Sequence, residues 1–243
     1  MSQLRRFAAW SYGCYAWLVF ALVLLSVSIL VILLWSPRYG RPVARAGTRL
    51  IFRLAAVPVS AQGIERLPPA PHILLVNHTS FVDGVALTAL LPARPGYAFV
   101  VRQQYPSQSL LYPLLRGLGT VVLHHDHDHA ATNVDLLRAA LRRGKNLIVF
   151  PEGGFVPETG LKPFHSGAFI AAIAENVPIV VAGLRGTRKA LWPRTWLPHR
   201  TAIELEVGPV FQPDAADPPS ELALRSQARQ AMLPLTGEED AAG

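Results

Sequence analysis

Residues 7–35 carry no charge, and from Tyr15 onward they are an almost unbroken succession of Leu, Val, Ile, Ala and Phe. A run of this kind is long enough to cross a hydrocarbon core as a helix. A secretory signal would have a shorter apolar centre and a small-residue cleavage site, whereas Trp35-Ser36-Pro37-Arg38 follows here. The reading is a retained membrane anchor, either a crossing helix or one arm of a monotopic hairpin. Arg5 and Arg6 precede the run, while Arg38, Arg41, Arg45, Arg49 and Arg53 follow it. The positive-inside bias then favours a cytoplasmic face for everything downstream.

Residues 43–56 read as an amphipathic helix. Arg45, Arg49 and Arg53 recur every four residues, and Leu50, Ile51, Leu54 and Ala55 occupy other faces. Beside an anchor, a basic stripe next to apolar surface suits the headgroup layer. The formal charge of +7 would equally suit nucleic acid. Its arginines cluster at the anchor, however, and no motif combines stacking aromatics with basic residues, so a nucleic-acid partner is not expected. Cys14 is the one cysteine and sits inside the apolar run, which excludes a disulfide framework and a thiolate metal site.

Beyond the connector 58–71, apolar runs of strand length fall at 73–76, 97–101, 120–123, 147–150, 179–184 and 203–207. Helical spacing lies between them, most clearly at 83–91, 133–143 and 166–175, with a last helix at 221–233 for which Ser220 is a cap. Strands alternating with helices argue for an α/β fold, a central mixed sheet covered by helices. The organisation predicted is an anchor and interfacial helix over 1–57, one catalytic domain over 58–235, and a frayed acidic tail over 236–243.

Two clusters carry chemistry. In Val76-Asn77-His78-Thr79-Ser80-Phe81-Val82-Asp83 an apolar run stops at an amide, an imidazole and, five residues past the His, a carboxylate. That spacing lets Asp83 accept from one ring nitrogen of His78 where a strand gives way to a helical turn, leaving the other nitrogen able to take a proton. Ser80 and Thr79 are the only hydroxyls within the cluster, and Ser80 also suits a helix cap. The second cluster, Phe150-Pro151-Glu152-Gly153-Gly154, ends another apolar run. Its proline stops a ladder, and its glycines permit unusual backbone angles and close approach of a ligand.

Asn77-His78-Thr79-Ser80-Phe81-Val82-Asp83 resembles the N-H-x-S-x-x-D motif of the glycerolipid acyltransferases typified by 1-acyl-glycerol-3-phosphate acyltransferase. Phe150-Pro151-Glu152-Gly153 resembles their F-P-E-G motif, and Val177-Pro178-Ile179-Val180 is similar to their fourth motif. The resemblance covers roughly residues 64–210. It implies acyl transfer from acyl-CoA or acyl carrier protein to a lipid hydroxyl, with no metal and no other cofactor, by a protein bound to membrane lipid. His78 would be the general base and Asp83 its orienting carboxylate. Asn77, Ser80, Glu152, Gly153 and Gly154 would lie at the acceptor. Glu152 would accept from its hydroxyl, and the glycine amides would face a phosphate or the developing oxyanion.

The departures concern the acceptor. The family continues F-P-E-G-T-R, whereas Gly154-Phe155 follows here, so a phosphate-binding arginine is missing. The family's second motif also ends in arginine, where this chain places His125. A neutral imidazole offers no permanent bidentate charge. Arg102 lies near an upstream family lysine, and Lys162, Arg185 and Arg188 are further cations that would serve. The acceptor is therefore either a lysophospholipid or a lysolipid without a phosphomonoester. The run His124-His125-Asp126-His127-Asp128-His129 has divalent-metal donor types. No cysteine or distant ligand pattern supports it, and a polar loop with Asp128 capping the next helix, or a rim to the acceptor pocket, explains it as well. The α/β-hydrolase alternative fails because His165-Ser166-Gly167 lacks the first glycine of the nucleophile elbow.

Overall fold

A computed structural model describes residues 3–102, 112–125, 129–156, 158–193, 195–213 and 219–241. In chain order its elements are α1 (Gln3–Leu34), α2 (Pro37–Leu54), β1 (Val59–Gln62), β2 (Ile73–Val76), α3 (Asp83–Leu90), β3 (Tyr97–Arg102), α4 (Tyr112–Leu118) and β4 (Val121–Leu123). There follow α5 (Ala130–Arg142), β5 (Asn146–Val149), α6 (Gly167–Glu175), β6 (Ile179–Arg185), α7 (Thr187–Ala190), β7 (Ile203–Phe211) and α8 (Glu221–Thr236).

The strands form one sheet in the order β1-β7-β6-β2-β5-β3-β4. β2 is central and covered on both sides, which is why its four residues are all apolar rather than alternating. Ile73 and Leu75 join Leu147, Leu137, Phe169 and Met232 in the core beneath α5, α6 and α8. Leu74 and Val76 join Ile148, Val180, Leu87 and Phe52 in the core beneath α3 and α2. Leu74 has no exposed surface, so Leu74→Ala would cost about 2–5 kcal/mol. Strands β2, β3, β4, β5 and β6 run parallel to one another, while β7 is antiparallel to β6 and β1 is parallel to β7. The five parallel strands therefore deliver their carboxyl ends to one edge of the sheet.

α1 and α2 form an antiparallel hairpin. Tyr12 Oη donates to Ala55 O and Tyr15 Oη to Leu54 O, each at 3.1 Å. Further along, Gly47 faces Val27, and Val31 packs against Gly40 and Gly117. α2 begins earlier than the expected residue 43, because Pro37 occupies the first turn, where a missing N–H leaves no bond unmade. Phe52 pins this helix into the core.

Several segments differ from expectation, among them residues 59–62, α4 and the chain after α8. Residues 59–62 are a strand rather than connector: β1 pairs with β7 at the sheet edge, where a half-exposed pattern with only Val59 and Ala61 apolar suffices. α4 carried no clear apolar period. Residues 236–241 are docked rather than frayed. Thr236 ends α8, Gly237 caps it with φ 65°, and Asp240 bridges Leu161. The acidic residues that suggested solvation instead find Arg188, Arg229 and backbone N–H groups.

Candidate active site

The carboxyl edge of the parallel strands holds the site, as expected where open α/β sheets bind ligands. β2 delivers Asn77 and His78, and β5 delivers Phe150, Pro151 and Glu152. Asn77 does not reach outward. Its Nδ2 donates to Leu184 O at 3.0 Å and its Oδ1 accepts from Leu184 N at 2.7 Å. The side-chain amide thus supplies the next rung of the β2–β6 ladder just after Val76↔Ala182. That frees the main chain to turn away and present His78. Asn77 is 1% exposed, so its contribution is to hold the turn rather than to touch an acceptor.

His78 Nδ1 lies 2.8 Å from Asp83 Oδ2. A carboxylate can only accept, so the proton sits on Nδ1 and the lone pair on Nε2. Nε2 bonds no described residue, and the side chain is 19% exposed. Phe150 stacks on the ring at 4.1 Å and 16°, and Phe155 meets it edge-on at 4.6 Å. The imidazole is thereby held in one plane with one nitrogen outward.

Asp83 opens α3 and is fully buried. The same Oδ2 also accepts from Thr79 N at 2.7 Å and Ser80 N at 2.9 Å. These two N–H bonds fold residues 79–83 into the turn that brings His and Asp together, which is why a spacing of five works. Ser80 does not cap α3, whose N-cap is Val82 with no side-chain cap. Its Oγ donates to Leu191 O at 2.9 Å, tying the turn to the far side of α7. Thr79 Oγ1 is 3.0 Å from Thr187 Oγ1. Both hydroxyls are buried and turned away from His78, so neither is placed to act as a nucleophile.

Glu152 is also not an open acceptor. Its Oε1 accepts from His78 N at 2.8 Å and its Oε2 from Lys162 N at 3.0 Å. Burial pushes its carboxyl above the ordinary carboxylate range, opposed by those two N–H bonds. The turn that follows needs its glycines. Gly153 has φ 74°, and a Cβ there would come within 2.5 Å of His165 Nε2; Gly154 has φ 155° and faces open space. Lys162 Nζ donates to Gly154 O at 3.0 Å.

The other cations divide between edge and structure. Arg102 ends β3, opposite Leu123 of β4, and His125 lies just past β4 and is exposed. They share the carboxyl edge, but they stand two and three strands from β2, about 10 and 14 Å at the usual strand spacing. The structure does not bring them against His78. Arg185 is engaged by Leu235 O and Glu206, and Arg188 by Glu238, Val156 O and Glu158 O. His124 and His129 stack at 4.7 Å; Asp126, His127 and Asp128, which the metal and capping readings require, lie outside the described residues.

Sequence reasoning missed the aromatic row that leads from α1 to His78. Trp17 of α1 donates Nε1 to Trp196 O at 2.6 Å and its ring lies 6.0 Å from that of Trp196. Trp196 stacks with Phe81 at 6.5 Å, and Phe81 meets Phe155 at 4.7 Å. Trp196 and Phe81 are 75% and 64% exposed, too open to be core. No local pattern could reveal the row, because its members come from four separate segments.

Comparisons agree with this geometry. The family model described as Acyltransferase matches residues 58–185. A 1-acyl-sn-glycerol-3-phosphate acyltransferase of Cocos nucifera is 25% identical over 199 residues, 78% of this chain and 62% of the relative. A lyso-ornithine lipid O-acyltransferase of Pseudomonas aeruginosa is 26% identical over 125 residues, covering 51% of this chain and 47% of the relative. The crystal structure of the 1-acyl-sn-glycerophosphate acyltransferase of Thermotoga maritima superposes with a TM-score of 0.75 at 18% identity, covering 93% of each chain, and so shares the fold. The chain spans about 62% of the length of the Cocos nucifera relative; with the family model spanning more than half its length and both motifs at one sheet edge, it belongs to the glycerolipid acyltransferase family.

Proposed function

We propose that the protein is a membrane-bound lysolipid O-acyltransferase that works by direct attack, without a covalent enzyme intermediate. The observation that carries this is the His78–Asp83 pair at 2.8 Å, with Nε2 bonded to none of the described residues. Nε2 takes the proton of the acceptor hydroxyl as its oxygen attacks the thioester carbonyl. Asp83 holds the tautomer and stabilises the imidazolium that forms. The tetrahedral intermediate expels the thiolate, which takes the proton back from Nε2. Products are the ester and free thiol, from either acyl-CoA or acyl carrier protein, and no cofactor is needed to balance the step. The buried, engaged hydroxyls of Thr79 and Ser80 support a substrate nucleophile.

The hairpin supports the membrane placement. Leu18, Leu22, Leu25, Ile29 and Leu33 form one exposed stripe along α1. α2 runs beside it carrying Arg45, Arg49 and Arg53. Crossing the bilayer would draw those arginines to hydrocarbon depth, at about 2.5–3.5 kcal/mol each. The hairpin therefore lies in one leaflet, with the stripe in the acyl region and the arginines among headgroups, on the cytoplasmic side by the positive-inside bias.

The first reading of the acceptor is 1-acyl-glycerol-3-phosphate or a related lysophospholipid, as the names of several relatives suggest. A second reading, a lysolipid without a phosphomonoester such as lyso-ornithine lipid, is favoured by one observation. Phe155, in the stretch where the family continues Thr-Arg, packs against His78, while Arg185 and Arg188 are tied to other partners. Purified protein in vesicles, given labelled acyl thioester and a panel of lysolipids, tests the proposal. Transfer to at least one lysolipid is expected; none with any member of the panel, with either donor, contradicts it.

A further inference from the structure

The segment after α8 reaches the site through the loop that Glu152 holds. Glu238 accepts from Gly160 N at 2.6 Å with Oε2 and from Arg188 Nε at 3.3 Å with Oε1. Arg188 is 8% exposed, and its Nη1 also donates to Val156 O at 3.2 Å and Glu158 O at 3.1 Å. Two residues on, the chain forms a short parallel bridge: Leu161 N donates to Glu239 O at 2.8 Å and Ala241 N to Leu161 O at 3.2 Å. Asp240 pairs with Arg229, whose guanidinium also donates to Leu161 O and Lys162 O. The contact is close because residue 160 is glycine. At φ 113° a Cβ there would meet Ala241 Cβ at 2.8 Å.

These bonds fix both sides of the loop just where it matters. Lys162 N donates to Glu152 Oε2, Glu152 Oε1 accepts from His78 N, and Lys162 Nζ reaches Gly154 O. We propose that Glu238 and Asp240 are positioning residues for acyl transfer: through Gly160, Leu161 and Lys162 they set Glu152, and through Glu152 they set the main chain of His78. They touch no reacting atom. The inference rests on the assignment of His78 as the base.

A purely structural strap would affect stability alone, whereas this one also affects the charge state of Glu152. The ionised carboxylate accepts the two N–H bonds more strongly, since protonation leaves one oxygen a weaker acceptor with a proton of its own to place. The Lys162 N–H favours the charged form against the burial that opposes it. Loosening the loop removes that support, so Glu152 takes up a proton at higher pH and the acid limb of the rate profile moves up.

The test compares wild type, Glu238→Ala, Glu238→Gln and His78→Ala as full-length protein in vesicles, measuring kcat, KM and the pH profile. Glu238→Ala is expected to lower kcat about 10- to 100-fold, as a misplacement of about 1 Å does. KM for the thioester should stay within about twofold, and the acid limb should shift to higher pH. Glu238→Gln, whose amide oxygen still accepts from Gly160 N while its NH2 faces Arg188 Nε, should have a kcat between those of Glu238→Ala and wild type. Should Glu238→Ala not accumulate, Asp240→Ala carries the same readouts. A variant with native kcat and acid limb, or with only a lowered melting temperature, overturns the proposal while His78→Ala is inactive. Full activity of His78→Ala would instead remove the assignment on which it stands.

Discussion

The main-chain N–H of His78 is held by Oε1 of Glu152 at 2.8 Å, and the second oxygen of that carboxylate holds Lys162 N at 3.0 Å. The Glu of the Phe-Pro-Glu-Gly turn thus fastens the two loops of the site to each other. Glu152→Gln keeps one acceptor and places an NH2 against an N–H. The expected result is a fall in kcat of about tenfold or more, since buried unsatisfied donors cost about 1–3 kcal/mol. An unchanged kcat would show that the clamp does not matter to the reaction.

The same carboxylate sets a pH dependence whose sign differs between stability and activity. Burial raises the Glu152 pKa in the fold. Its contribution to stability is therefore fully present below the unfolded carboxylate pKa and is lost as pH rises through the raised folded value. Activity runs the other way, because the ionised form makes the stronger clamp. Denaturant titrations of wild type and Glu152→Gln across the acid range should show a pH-dependent difference, with wild type losing relative stability as pH rises through that window. A difference independent of pH would contradict this.

Asn77→Ala should destabilise the fold by about 2–4 kcal/mol, because it leaves both the N–H and the C=O of buried Leu184 without their partner. Asn77→Asp should not rescue it, since a carboxylate cannot donate to Leu184 O. Chemical denaturation in mild detergent measures both. Full stability of Asn77→Ala would show that the ladder does not need its side-chain rung.

Phe155 stands edge-on to His78 where the family carries a phosphate-binding arginine nearby. Phe155→Arg is expected to raise kcat/KM for lysophosphatidic acid relative to lyso-ornithine lipid by about tenfold, the value of one charge-assisted contact. Exclusive use of lysophosphatidic acid by the unaltered protein would show that Phe155 imposes no such choice.

Replacing Arg45, Arg49 and Arg53 together by Gln should weaken binding to vesicles containing anionic lipid by about 100-fold at low salt, at about 1 kcal/mol per arginine. Neutral vesicles should bind both forms alike. Equal binding to anionic vesicles would place the α2 stripe away from the headgroups.

Much of this was legible in the sequence for a physical reason. Strands buried on both faces read as short apolar runs, so Ile73, Leu74, Leu75 and Val76 marked themselves, and a His and Asp five apart constrain their own meeting. What stayed hidden was whatever depends on distant main chain. Asn77 read as a residue that orients the loop as well as one at the acceptor, and Glu152 as an acceptor ligand, because the partners of both are the backbone atoms of Leu184, His78 and Lys162, which no side-chain pattern announces. The acidic residues after α8 looked solvated because Arg188 and Arg229 lie far from them in the chain or on the helix before. Strand order, which sets Arg102 and His125 apart from His78, is a property of topology rather than of local composition.

The central claim is that Nε2 of His78 takes the acceptor's proton. Its most direct test is the initial rate of labelled acyl transfer from thioester to the preferred lysolipid by purified His78→Ala, with folding checked by circular dichroism. A folded protein whose rate has dropped about 10²- to 10⁴-fold is expected, the contribution of a positioned general base. A folded variant that transfers acyl groups at the native rate would contradict it.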